Sequence, residues 1–217
     1  LALAGGARLV QSLPISKGAD MFLSVFEIFK VGVGPSSSHT MGPMVAAARF
    51  LDLLRASPFR AAGLRASLHG SLAFTGIGHA TDRAVMLGLA GLVPENCQPA
   101  AAEAALADLR AHRQVALPGL GTLRFDPQAD LLFDYGPPLH GHANGLRLMA
   151  TDAQGDVILQ ETYYSVGGGF VLTETELAEA AMARGQTAVP GARCPYPFAT
   201  AAQMLEMAQA SGRSIAA

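Results

Sequence analysis

The chain has 217 residues, half of them apolar, with 15 basic and 17 acidic residues and a formal charge of -2. That length can bury the core of one large domain. The even charge leaves no basic stripe for nucleic acid and no polybasic patch for a membrane surface. No apolar run reaches the roughly 18 residues that span a bilayer. Cys97 and Cys194 fit no metal-type spacing and suggest a reduced, cytoplasmic setting. Pyridoxal phosphate would find only Lys17 and Lys30 for a Schiff base. Two cysteines are too few for an ordinary iron–sulfur cluster.

Residues 1–20, with Gly5, Gly6 and Arg8 breaking the apolar opening, read as an extension or expression remnant, so the domain is expected over 21–217. Residues 22–29, FLSVFEIF, form a short apolar strand or one to two helical turns. A glycine- and serine-rich loop follows. Met44, Ala48, Leu51 and Leu54 then recur at helical spacing, which predicts a helix over 41–56 with Pro43 in its first turn. Residues 64–69 alternate as a strand. A second glycine-punctuated loop leads into the helical run RAVMLGLAG, and 100–113 form an amphipathic helix. Short strands occupy 115–133. Residues 145–151 and 156–165 form a hairpin that the GGGF run ends. Helical patterns near 174–183 and 198–211 flank the proline-rich VPGARCPYPF. Helices alternating irregularly with hairpin strands predict an α+β fold with a mostly antiparallel sheet.

The loop VGVGPSSSHTMGPM, residues 31–44, holds Ser36, Ser37, Ser38, His39 and Thr40 at the start of a helix. A helix start offers free N–H groups and partial positive charge to a carboxylate or phosphate. Hydroxyls add donors, and His39 moves a proton near neutral pH. Ser38 or Thr40 alone would be read as a helix cap. A serine-nucleophile reading is weak, because Ser38 and His39 are sequence neighbours whose side chains normally diverge. The GIGHATD loop adds His79, Thr81 and Asp82, with a cap and a core histidine as the plainer alternatives. LHGHANG carries His140, His142 and Asn144; the histidines would share a face if extended, yet no third metal ligand is near. Three glycines in YYSVGGGF suggest backbone packed close to a ligand or to another chain.

Five segments, in order, resemble the N-terminal β domain of iron–sulfur-dependent L-serine dehydratases: FEIFKVGVGPSSSHTMGPM, GSLAFTGIGHATDRAVMLGLAG, HANG, TYYSVGGGF and PYPFATAAQML. The resemblance implies conversion of L-serine to pyruvate and ammonia with a [4Fe–4S] cluster acting as Lewis acid. It places that cluster in a C-terminal α domain or α subunit, so this chain is expected to be a fragment or a β subunit, inactive alone. It further implies that Ser37, Ser38, His39 and Thr40 meet the substrate, with His39 transferring the proton. His79, Thr81 and Asp82 are expected near the same cleft. The domain also resembles the serine-binding regulatory domain of some 3-phosphoglycerate dehydrogenases. That likeness implies an L-serine effector site at His142, Asn144 and Gly145. His140 or His142 can align as its first histidine, and His142 keeps the spacing to Asn144. A homodimer is expected. Two other functions compete: a free-standing L-serine-binding regulatory module, and a pyridoxal-dependent lyase using Lys30.

Overall fold

A computed structural model describes residues 32–185 and 200–214. The proposed extension, the domain start at Met21, the 22–29 segment, both lysines and the whole of VPGARCPYPF, Cys194 included, lie outside the described residues.

The sheet is built around one central strand. β1 (Gly63–Gly70) pairs antiparallel with β5 (Asn144–Thr151), which forms a hairpin with β6 (Val157–Gly167). On its other edge β1 runs parallel to two short strands in succession. Gly63 meets β3 (Gly121–Arg124), and Ala66 to His69 meet β4 (Leu131–Asp134). β2 (Gln114–Leu117) forms a hairpin with β3, and β7 (Phe170–Thr173) pairs with β6. The sheet is therefore α+β and mostly antiparallel, as expected, with two parallel pairings added. The GGGF run does more than end the hairpin. Gly167, Gly168 and Gly169 all take positive φ and turn the chain straight into β7, a strand too short to signal itself by alternation.

Period-2 alternation puts Leu64, Ala66 and Leu68 of β1 on the same face as Leu146, Leu148 and Ala150 of β5, all buried in one core. α1 (Gly42–Ala56) closes that face with Met44, Ala47, Phe50, Leu51 and Leu54, every one almost wholly buried. α3 (Thr81–Leu89) lies on α1, and α4 (Pro99–His112) on α3. The approach of α1 to α3 is close because Gly88 lacks a side chain: a Cβ there would strike the Met44 carbonyl and the Ala47 methyl. Arg49 ties α1 to the far edge. It donates to the Val171 carbonyl at 2.6 Å and to both Glu176 oxygens at 2.8 and 3.1 Å, at the start of α5 (Glu174–Gly185). α6 (Ala201–Ser211) opens with Thr200 and Gln203 capping each other.

One end of this sheet collects the polar loops. The carboxyl ends of β1, β4 and β6 and the start of β5 all lie there, as the register of Gly70 with Asn144 and of Gly145 with Tyr164 requires. The short helix α2 (Ser71–Phe74) leaves β1 at the same end.

Candidate active site

The serine-rich loop enters α1 through a single π-helical turn, Ser37–Met41. Ser36, not Ser38 or Thr40, is its cap: the Ser36 hydroxyl accepts the His39 backbone N–H at 3.1 Å. The Ser36 carbonyl accepts the Met41 N–H at 3.2 Å and closes the wide turn. Because Ser36 takes the capping task, Ser38 and Thr40 bond elsewhere.

Ser38 Oγ lies 2.9 Å from His39 Nδ1, and Ser71 Oγ lies 2.9 Å from His39 Nε2. The expectation that Ser38 and His39 diverge is thus overturned. Neighbours diverge fully in extended chain, but a helical turn splays them by only about a quarter revolution, near enough for a short hydroxyl to reach the ring. His39 therefore sits between two hydroxyls, each able to give or take a hydrogen bond. Its pKa is held below the usual imidazole value by burial and, secondarily, by the neighbouring His79. At neutral pH the ring is uncharged, so one nitrogen donates to a hydroxyl and the other accepts from the second.

The second loop is locked to the first by two reciprocal bonds. Thr40 Oγ1 donates to the His79 carbonyl at 2.8 Å, and Thr81 Oγ1 donates to the His39 carbonyl at 2.6 Å. Both threonines are buried. The pair holds the imidazoles of His39 and His79 with ring centroids 4.8 Å apart. Neither Thr81 nor Asp82 caps α3; the position before it is Ala80, in left-handed backbone without a side-chain bond. His79 is not a core histidine either. It is half-buried, and its Nδ1 donates to the Thr75 carbonyl at 2.9 Å, so in the neutral ring Nε2 carries the lone pair. Asp82 stands in the first turn of α3, where a carboxylate complements the positive end of the helix. Among the described residues no hydrogen bond or ion pair joins it to His39 or His79.

The third cluster is contiguous with these two. The Ser71 N–H donates to the Ala143 carbonyl at 2.8 Å, next to Asn144. Asn144 Nδ2 donates to the Ser165 carbonyl at 3.1 Å, and its backbone N–H donates to His142 Nδ1 at 3.1 Å. Gly145 opens the strand against Leu139 and Tyr164. His140 lies in the turn before this stretch, where its carbonyl accepts the Tyr164 hydroxyl. The extended chain that would have put His140 and His142 on one face is absent, and no three His, Cys, Asp or Glu side chains converge among the described residues.

Two residues at this end were not singled out from sequence. Ser71 follows Gly70, whose φ of 55° and close approach to the Ala143 carbonyl exclude a side chain. A glycine ending a strand directly before a serine was the available signal. Ser165 is fully buried, its hydroxyl has no hydrogen-bond partner, and it packs directly on Gly42, the first residue of α1. Ser37 is exposed at the mouth of the loop.

The residues present do not fit a four-thiolate cluster. The chain has two cysteines, and the described one, Cys97, is half-buried with its thiol pKa pushed up by burial, which disfavours the thiolate a metal requires.

Fold and site together define an α+β domain that presents a serine–histidine half-site at one end of its sheet. The serine dehydratase beta chain model matches residues 24–176, and the chain belongs to that family. It is 41% identical over 193 residues to an L-serine dehydratase of Helicobacter pylori, covering 89% of this chain and 41% of the relative. An L-serine dehydratase of Streptomyces coelicolor is 39% identical, with 91% of this chain and 43% of the relative aligned. L-serine dehydratase 2 of Escherichia coli is 36% identical, with 89% and 41% aligned. The chain thus spans about two-fifths of the length of the curated relatives it matches.

Proposed function

We propose that this chain is the β portion of an iron–sulfur L-serine dehydratase and supplies the proton-handling half of its active site. The observation that carries the reading is His39, neutral at physiological pH and held between the hydroxyls of Ser38 and Ser71. Elimination of water from L-serine breaks the Cα–H bond and the Cβ–O bond. The α-proton is weakly acidic, so a positioned, uncharged base is needed. His39 is that base. Ser38 and Ser71 fix its plane and stabilise the imidazolium that forms, and the stapled second loop keeps His79 alongside. The Ser37 side chain and the N–H groups of Ser37 and Ser38, at the head of the π turn, face the substrate carboxylate. The cluster, which would polarise the leaving hydroxyl, belongs to the cysteine-bearing remainder of the enzyme.

The test is reconstitution. This chain and the cysteine-bearing portion, mixed without oxygen, should form pyruvate from L-serine, while neither does so alone. Pyruvate from this chain alone, or none from a cluster-loaded mixture, would overturn the assignment.

We assign His142, Asn144 and Gly145 to L-serine binding as well, at the edge of the same cleft. What supports this is the single hydrogen bond from Ser71 that links the segment to the His39 ring. Calorimetry on this chain should then show heat with L-serine, not with D-serine, and a loss in His142→Ala. No heat at millimolar L-serine removes the effector assignment.

A further inference from the structure

The segment that carries Ser71 and His79 also carries two of the most exposed apolar side chains among the described residues. Phe74 is 64% exposed and Ile77 is 72% exposed. Tyr135, just beyond the carboxyl end of β4, is 56% exposed and meets Phe74 edge to face with centroids 5.3 Å apart. Phe133 stacks behind Tyr135 at 6.5 Å, and its ring edge abuts Gly76. Phe74, Tyr135 and Phe133 form one aromatic cluster, on the rim of the end of the sheet where the polar loops gather, and Ile77 lies three residues beyond Phe74. Scattered apolar residues on a surface need no explanation, but a contiguous aromatic cluster beside a polar cleft does.

We propose that Phe74, Ile77 and Tyr135 form the surface on which the cysteine-bearing remainder of the dehydratase docks. The inference rests on the function proposed above and specifies the contact it requires. Three facts select this occupant. The chain covers only 41% of its H. pylori relative, so more than half of such an enzyme lies outside it. The chain's own cysteines do not suffice for a cluster, so the metal must be brought to His39 from outside. And Phe74 and Ile77 lie in the loop between Ser71 and His79, so a body seated on them covers the polar loops and excludes water from them. Aromatic side chains are the usual anchors of such contacts.

Hydroxyl-radical footprinting tests this without disturbing the fold. Tyr135 and Phe74 should label readily in this chain alone and be protected several-fold once the cysteine-bearing portion is added. Phe59, 41% exposed at the opposite end of the sheet, serves as the reference and should not change. Ile77→Asp, at an exposed site, should keep the parent's circular dichroism and weaken assembly by about tenfold or more, as loss of a central anchor does. Unchanged labelling of Tyr135 in an assembly that makes pyruvate would overturn the docking surface and leave the function standing. Protection that grows with the concentration of this chain alone would assign the cluster to a second copy, which also overturns the proposal. Protection in a cluster-loaded assembly that makes no pyruvate would support the surface while removing the function.

Discussion

In the proposed function the chemistry turns on His39, and the environment of that ring gives its behaviour a definite sign. Burial and His79 both disfavour the imidazolium, so the folded pKa lies below the ordinary histidine value of about 6.5. Above that pKa the ring is a competent base, and below it the base is lost. The acid limb of kcat/KM for the assembled enzyme should therefore fall below pH ~6.5. Replacing His79 by Gln removes one cause of the depression, so the limb should move toward higher pH. A limb unchanged in His79→Gln would mean that the second ring does not act on the first. Ser71→Ala removes one of the two hydroxyls that orient the ring. We expect kcat to drop by about tenfold with KM little changed, because only proton transfer suffers. Equal losses in Ser71→Ala and in an exposed control such as Thr75→Ala would reduce Ser71 to a structural role.

The elements explain why these residues meet. The two threonine bonds join loops 39 and 42 residues apart in sequence. Thr40→Val or Thr81→Val leaves a carbonyl without that partner and should cost about 1–3 kcal/mol of stability in urea denaturation. The double variant should cost more than the sum, since either bond alone holds both loops. Gly42 is a second constraint. A Cβ there collides with the Ser165 side chain, so Gly42→Ala should destabilise by about 1–3 kcal/mol and displace the serine turn. Adding Ser165→Gly should recover most of that loss; no recovery would show that the contact is not what demands glycine. Much of this level was legible in the sequence. The helix starts, the strand at 64–69 and the hairpin followed from apolar period and turn residues, which are local signals. What was not legible depended on long-range contacts or on a rare turn. Ser36 as the cap, the bend of Ser38 onto His39, and the partnership with Ser71 all follow from the π turn and from strand register. No run of neighbouring residues encodes either.

At the scale of the whole molecule, one sheet face is closed by α1, and one end is left polar and open. The α+β class was anticipated from the sequence; the resemblance to the dehydratases led us to expect the first two loops together, and the third as a separate effector site. β7 and the aromatic rim were not anticipated, because a four-residue strand has no period to read and exposure is not written in composition. The other face holds a buried histidine. His69 is 5% exposed and 2.9 Å from Ser67 Oγ, and burial holds its pKa below the ordinary value even though Asp134 pulls it up. The unfolded chain therefore binds a proton at His69 more readily than the folded one. That part of the stability is present above pH ~6.5 and is lost as pH falls through the folded pKa. Urea midpoints should decline from pH 7 to 5, and less steeply in His69→Gln; identical slopes would show that His69 does not contribute. In the proposed division of labour this chain brings the base and another portion brings the metal. The most direct measurement is turnover of L-serine by the assembled enzyme carrying His39→Gln, with the cluster absorbance recorded on the same sample. We predict an intact cluster and a kcat lower by about a hundredfold to ten-thousandfold, the range for loss of a general base. Turnover within a few-fold of the parent, with the cluster in place, would contradict the account.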